Sequence, residues 1–184
     1  ANADINKDNK PDLLVATNDA VYGYYGGSNY NVTPNSDNIV VLTANEADII
    51  LNGFPPNSGL QNISVVNQTN GNAPQILVTA PNSGSLYVIP TGGLSAATSK
   101  VVPISSVVGA TVIRGEKGLG AGGLIIDTSG SAPVALTTDA RGVVEISLPP
   151  SPRSSEGEQA LLLPPSNSTV TGHLVHEGGA AAVP

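Results

Sequence analysis

Short apolar runs separated by turn-forming residues dominate the first 148 positions of the chain. Glycine (21) and proline (15) are abundant and stand between the runs, together with asparagine and aspartate. The clearest runs cover residues 13–16, 20–25, 76–80, 86–90, 134–138 and 143–147. Valine, isoleucine, leucine and tyrosine prevail in them, as is typical of strands. The pattern predicts an all-β fold of many short strands joined by turns.

The runs recur in pairs, and the order of loop, strand, turn and strand appears in three copies. A proline precedes the first strand of each copy, at Pro11, Pro74 and Pro133, so the period is about 60 residues. A period that keeps strand, turn and strand in phase indicates a repeat architecture.

The loop before the first strand, residues 4–12, reads Asp-Ile-Asn-Lys-Asp-Asn-Lys-Pro-Asp and is rich in oxygen donors. Ca²⁺ binds about six to eight oxygens, and alternate positions of a tight loop can converge on one point. The sixth position, where the chain must turn sharply, is Asn9, which tolerates left-handed backbone better than most residues. The predicted ligands are the side chains of Asp4, Asn6, Asp8 and Asp12 and the backbone carbonyl of Lys10.

This loop is not an EF-hand, because no glutamate stands at its twelfth position and no amphipathic helix flanks it. The alternative to a calcium site is a solvated Asp/Asn turn between two strands.

The residues around the loop also carry a family resemblance. The sequence Asp12-Leu-Leu-Val-Ala-Thr17, followed by Ala20-Val-Tyr-Gly-Tyr-Tyr-Gly-Gly27, resembles the FG-GAP repeat, the blade unit of integrin-α-type β-propellers. In the second copy, Thr79-Ala80-Pro81 stands where that family has Gly-Ala-Pro. The resemblance covers residues 3–148 and implies about two and a half propeller blades, partial or open. We therefore expect an FG-GAP-like β-repeat domain over residues 1–148 and an extended Pro/Ser-rich tail over residues 149–184.

The second and third copies lack the negative charge that a calcium site needs. At the matching places the second copy has Asn67, Thr69, Gly71 and Gln75, and the third has Asp127, Ser129 and Val134. Without carboxylates to offset the dehydration of a dication, we expect these two loops to bind calcium weakly or not at all.

Composition narrows the function classes. The chain has no cysteine, which excludes disulfides and thiol catalysis, and its net charge of −7 argues against nucleic-acid binding. No stretch of about 18 apolar residues is present, so no membrane span is expected.

Four N-glycosylation sequons, together with the calcium loop, favour an extracellular or cell-surface location. Their acceptors are Asn31, Asn62, Asn67 and Asn167. The Pro/Ser-rich tail has the composition of a spacer or an O-glycosylated stalk, and strand periodicity returns in it only at residues 170–175.

Little in the sequence supports catalysis. Gly-x-Ser-x-Gly is absent, and the glycine-rich segment 118–123 lacks the surrounding βαβ unit of a dinucleotide site. His173 and His176 could bind a metal only with further ligands, and no such cluster lies near them in the sequence. Glu46 with Asp48, or Glu116 with Asp127, could form the carboxylate pair of a glycosidase, but the sequence gives no geometry for either pair. We predict no enzyme activity.

A closed FG-GAP propeller has about seven blades, so two and a half would expose blade faces and strand edges. The chain is expected to be a fragment, one of several chains that complete one another, or an open array; of these, assembly is favoured. The predicted function is that of an extracellular, calcium-binding structural or adhesive subunit of a self-assembling fibre or matrix. The alternatives are a receptor-like propeller that binds a protein or glycan and an accessory domain of a secreted hydrolase. A concave loop face with exposed aromatic side chains, for which the tyrosines between positions 22 and 30 are the candidates, would favour the receptor.

Overall fold

The computed structural model describes residues 2–28, 34, 36, 37, 39–67, 73–94, 99–130 and 132–149. These residues form twelve strands in three open sheets, with short 3₁₀ turns at Pro81–Ser83, Thr91–Gly93 and Ile104–Ser106. The all-β fold expected from the sequence is confirmed.

Apart from β8, which joins sheet one although it lies between two strands of sheet two in the sequence, the three sheets follow one another along the chain. Sheet one has the order β1 (Asn2–Ala3), β2 (Asp12–Ala16), β3 (Val21–Tyr24), β4 (Ile49–Asn52) and β8 (Val101–Pro103). Sheet two has the order β5 (Ile63–Val66), β6 (Gln75–Ala80), β7 (Ser85–Pro90) and β9 (Thr111–Arg114). Sheet three has the order β10 (Leu124–Asp127), β11 (Val134–Asp139) and β12 (Gly142–Ser147).

Each sheet begins with the same antiparallel unit of strand, loop, strand, turn and strand. The unit is β1-β2-β3 in sheet one, β5-β6-β7 in sheet two and β10-β11-β12 in sheet three. The order that the sequence predicted in three copies is therefore present. Sheets one and two each add a further antiparallel strand, β4 and β9, beyond this unit.

Sheet two lies between the other two sheets and is covered on both faces. Every residue of β6 and β7 is buried, and their side chains alternate between two separate apolar cores. Ile76 and Val78 pack with sheet one, whereas Leu77 packs with Ala135 and Ile146 of sheet three. This explains why β6 reads as an almost continuous apolar run, as strands buried on both faces do.

Sheets one and three each have one covered face and one uncovered face. In β2 buried and exposed residues alternate from Asp12 to Val15, so Leu14 faces the core and Leu13 faces outward. In sheet three Ala135 and Ile146 face the core, and Val143 faces outward. The three sheets thus stack in one direction, and both ends of the stack are open.

None of the helical segments among the described residues is long and apolar enough to cross a membrane.

The close approach of β3 to its core neighbours gives a stability test. A Cβ on Gly23 would lie 2.6 Å from Cγ2 of Ile49 and 3.3 Å from Cδ2 of Leu14. We expect Gly23→Ala to lower the free energy of unfolding by about 1 to 3 kcal/mol through overpacking. Urea denaturation measures the change. Gly130→Ala is the matched control, because its nearest neighbour would be 3.7 Å away, and equal effects of the two variants would contradict the packing described.

Candidate metal centre

The predicted calcium loop connects β1 to β2 at one end of sheet one. Ala3 lies opposite Asp12 in the antiparallel pair, so the loop leaves and re-enters the sheet at neighbouring positions. The chain has eight residues, 4–11, in which to turn back. All five predicted ligands therefore lie in this loop or at its closing residue.

Asp12 is the central residue of the loop, and it is buried (1 % exposed). Its Oδ2 accepts hydrogen bonds from the backbone amides of Ile5 (2.7 Å) and Asn6 (3.3 Å). Its Oδ1 accepts a bond from the amide of Gly26 (2.8 Å), which follows β3. A buried carboxylate is costly unless such donors surround it, so these three amides are what makes burial of Asp12 tolerable.

The side chains of the other predicted ligands brace the backbone of the loop. Asp4 accepts hydrogen bonds from the amides of Asp8 (3.1 Å) and Asn9 (2.9 Å). Asn6 Oδ1 accepts a second bond from the Asp8 amide (3.0 Å), and Asp8 Oδ1 accepts one from the Lys10 amide (2.8 Å). Side-chain oxygens thus replace strand pairing for a segment that turns too tightly to pair.

Two residues of the loop adopt left-handed backbone. Asn9 has φ 64°, as its place at the sixth position predicted. Lys7 has φ 65°, which sequence reasoning missed because lysine carries no preference for this region. The two reversals turn the amides of residues 8–10 toward the oxygens of Asp4, Asn6 and Asp8.

The donor set fits a hard cation, since it consists of carboxylate, amide and carbonyl oxygens. Among the described residues, however, no three His, Cys, Asp or Glu side chains come together in a cluster that could hold a metal ion. The structure therefore shows a loop that carries the donors and gives them a fixed order around a turn. Calcium binding by Asp4, Asn6, Asp8, Lys10 and Asp12 stays a prediction.

A second carboxylate, that of Asp48, holds the turn next to the loop. It was not among the residues of this site predicted from the sequence. Asp48 accepts hydrogen bonds from the amide of Tyr25 (2.6 Å) and the hydroxyl of Ser28 (3.2 Å). Burial raises the pKa of Tyr25, and the carboxylates of Asp48 and then Asp12 raise it further. The turn after β3 is thus held by Asp12 on one side and Asp48 on the other. In the sequence, the glycines at positions 26 and 27 were the only sign of this tight turn, and they were interpreted only as the end of a strand.

The equivalent loop of sheet three is built differently. Asp127 accepts a hydrogen bond from the Ser129 amide (2.8 Å), and bonds from the hydroxyl and amide of Ser129 lower the pKa of Asp127. Val134 stands where Asp12 stands in the first loop, so no buried carboxylate closes the turn. In the second loop Asn67 is exposed, and residues 68–72 lie outside the described residues.

The sequons lie in different surroundings. Asn67 is exposed just after β5, whereas Asn62 is half-buried and donates through Nδ2 to the Gly120 carbonyl at 2.6 Å. Asn31 and Asn167 lie outside the described residues, as do His173 and His176.

Two of the acidic residues considered above as possible catalytic groups, Glu46 and Glu116, make hydrogen bonds or ion pairs with neighbouring residues. Glu46 caps the turn at Thr43, accepting from its backbone amide (2.7 Å) and its hydroxyl. Glu116 pairs with Arg141 at 3.3 Å, and Arg141 also contacts Asp139 at 3.0 Å.

Comparison with known proteins adds no relative. No family model, curated protein or solved structure matches this chain. The resemblance to FG-GAP repeats therefore rests on the motif residues of the chain itself.

The buried position of Asp12 yields a test that needs no metal. In Asp12→Asn one of the two oxygens becomes an NH₂ group that faces a backbone amide, so at least one buried donor loses its acceptor. We expect the free energy of unfolding, measured by urea denaturation in EGTA, to fall by about 2 to 3 kcal/mol. Asp19→Asn makes the same charge change at an exposed residue and should alter stability little. Equal stability of the two variants would contradict a supporting role for Asp12.

Proposed function

We propose that this chain is a non-enzymatic, extracellular, calcium-binding β-repeat protein of the FG-GAP type, which acts as a self-assembling structural or adhesive subunit. The observation that supports this proposal best is which faces of the three sheets are buried and which are exposed. The middle sheet is buried on both faces, while the outer face of each end sheet carries exposed apolar side chains.

The outer face of sheet one is apolar across several strands. Leu13 (45 % exposed) and Val15 (40 %) lie on it, and Val15 lies opposite Tyr22 of β3. Tyr24, which lies opposite Leu13, is buried, and its hydroxyl donates to the Thr43 carbonyl at 3.1 Å. Tyr22 lies in turn opposite Ile50, which lies opposite Val101 (43 % exposed) of β8. Cross-strand partners share a face, so these residues form one continuous surface, the first end face.

The outer face of sheet three also carries exposed apolar side chains. Ile125 (67 % exposed) of β10 lies opposite Leu136 of β11, and Val143 (74 %) projects on the same side of β12, two residues from Glu145, the partner of Leu136. We call this the second end face. Large apolar side chains grouped in this way on an exposed surface typically mark an interaction site.

The stack itself indicates how the end faces are used. Sheet one packs on one face of sheet two, and sheet three packs on the other. Placing the second end face of one copy on the first end face of the next continues the same order of sheets. Such a head-to-tail contact builds a ring if it closes and a filament if it does not.

Calcium has a defined place in this proposal. The loop of residues 4–12 lies between β1 and β2, the edge strand and its neighbour in the sheet that bears the first end face. An ion bound by Asp4, Asn6, Asp8 and the Lys10 carbonyl, with Asp12 closing the loop, would stabilise the folded state by mass action. Extracellular calcium is concentrated enough to occupy even a modest site.

The calcium assignment has its own test. Asp8→Asn keeps an oxygen for the Lys10 amide but removes one negative charge from the loop. We expect it to weaken calcium affinity by about tenfold or more in isothermal titration calorimetry, because affinity depends on ligand charge. Asp19→Asn is the charge-matched control. Absence of calcium binding by the native chain at millimolar concentration, or equal affinity of Asp8→Asn, would contradict the assignment.

The assembly mode is tested with one lysine on each end face. Val15→Lys blocks the first end face and Ile125→Lys blocks the second, so each variant alone should sediment as a monomer while the native chain forms larger species. Mixing the two variants should yield a one-to-one complex and nothing larger, because each still has the face that the other lacks.

Val108→Lys is the control for this experiment, since Val108 is 73 % exposed and lies on neither end face. It should assemble like the native chain in sedimentation velocity. A dimer formed by Ile125→Lys alone would indicate that like faces pair, and a monomeric native chain at high concentration would contradict self-assembly.

A further inference from the structure

In sheets two and three a backbone hydrogen bond closes the hairpin where its second strand ends. The Thr91 amide, just after β7, donates to the Pro74 carbonyl at 2.8 Å. The Leu148 amide, just after β12, donates to the Pro133 carbonyl at 3.4 Å. Each pair continues the register of its two strands by one position. Because Pro74 and Pro133 mark the second and third copies of the repeat, this closing bond is a feature of the repeat itself.

Sheet one replaces this bond with one to a side chain. Continuing the register of β2 and β3 places Gly26 opposite Pro11, yet the Gly26 amide donates to Oδ1 of Asp12 at 2.8 Å. A Cβ on Gly26 would overlap the Pro11 carbonyl oxygen, so no side chain fits between these two segments. The equivalent positions of the other two sheets carry the side chains of Thr91 and Leu148. The close approach of the loop to this turn is therefore particular to sheet one.

The next residue of the turn also lies against the loop. Gly27 has left-handed backbone, with φ 86°, and a Cβ there would lie 2.5 Å from Cδ of Lys10. The side chain of Lys10 therefore crosses the turn, while its carbonyl is one of the predicted calcium ligands. Two adjacent glycines thus support the end of the loop from Lys10 to Asp12.

The turn of residues 25–28 is also anchored to the chain just before β4. Asp48 accepts hydrogen bonds from the amide of Tyr25 (2.6 Å) and the hydroxyl of Ser28 (3.2 Å). The amide of Asp48 donates to the Gly23 carbonyl at 2.8 Å, and β4, which follows at once, pairs with β3. These contacts do not involve the loop of residues 4–12, so the turn can serve as a fixed platform for it.

Asp12 joins this platform to the loop. Its two oxygens accept three backbone amides, of which those of Ile5 and Asn6 belong to the loop and that of Gly26 belongs to the platform. A carboxylate has about four acceptor positions, so one position remains for a metal ion. An ion bound there would share the Asp12 carboxylate with the platform.

We propose that Gly26 and Gly27 are positioning residues of the predicted calcium site. Their turn is the platform on which Asp12 holds the loop, so calcium affinity depends on a segment that supplies no ligand. A loop fixed in its binding conformation loses less entropy when it binds an ion. This inference rests on the proposed calcium binding by the loop, and it adds residues outside the loop that set its affinity.

Gly26→Ala tests the proposal, because the added methyl group must move the Pro11 backbone but removes no ligand. Gly130→Ala is the matched control, since its nearest neighbour would be 3.7 Å away. In calorimetry of the folded chain we expect Gly26→Ala to weaken calcium affinity by about tenfold or more and Gly130→Ala to leave it unchanged. Equal affinities in a chain whose native form binds calcium would overturn this inference alone. No calcium binding by the native chain would overturn the proposed site and this inference with it.

Amide hydrogen exchange in EGTA separates a positioning role from a general loss of stability. The Ile5 and Asn6 amides, which bond to the Asp12 carboxylate, should exchange faster in Gly26→Ala. We expect their acceleration to exceed that of the buried Ile76 of sheet two by about tenfold or more. Equal acceleration at all three amides, or none at Ile5 and Asn6, would overturn the proposal.

Asp48→Asn is a second test should Gly26→Ala not fold, because it loosens the platform without touching the loop. One oxygen becomes an NH₂ group, so only one of the bonds from Tyr25 and Ser28 keeps its acceptor. We expect calcium affinity to fall by about threefold or more relative to Asp19→Asn, which makes the same charge change at an exposed residue. Equal affinities of these two variants would overturn the proposal.

Discussion

Burial of both faces of sheet two is the constraint on which the rest of this structure depends. Alternate side chains of β6 and β7 enter two different cores, so both strands are mainly apolar, and their polar residues, Gln75, Thr79 and Ser85, are buried as well. The two cores fix where sheets one and three lie, one on each side. Removing apolar side chains from either face would release an end sheet and expose the middle one, because burial of such side chains supplies most of the favourable free energy.

The same constraint leaves the end faces open. Sheets one and three contribute one face each to the cores, and their other faces carry exposed leucine, valine and isoleucine, beside polar residues such as Glu145 on sheet three. The loop of residues 4–12 and the turn after β3 lie at one end of this stack, joined by the Asp12 carboxylate. The hydrogen-bonded loop and the exposed apolar residues of sheet one therefore lie at the same end of the molecule.

The sequence predicted the fold as far as local signals extend. The apolar runs gave the strand pairs β2–β3, β6–β7 and β11–β12, because alternation and turn residues act over a few positions. They could not give the parallel pairing of β8 with β4, since that contact joins segments about 50 residues apart and has no local signature. Only the folded structure shows that β8 pairs with β4 of sheet one.

The candidate site was predictable to a similar extent. The spacing of Asp4, Asn6, Asp8 and Asp12 identified the loop, and the turn at Asn9 followed from its position. The hydrogen bond from the Gly26 amide to Asp12 and the contacts of Asp48 with Tyr25 and Ser28 depend on tertiary packing, so no spacing in the sequence predicts them. Whether carboxylates converge on one point also depends on the folded geometry, and no group of three His, Cys, Asp or Glu side chains that could hold a metal ion is found among the described residues.

Electron microscopy of the native chain, with calcium and with EGTA, tests the central claim most directly. The account predicts regular rings or filaments that repeat every three sheets, with shorter or fewer assemblies once calcium is removed. Dispersed single particles at high protein concentration in both conditions would contradict it.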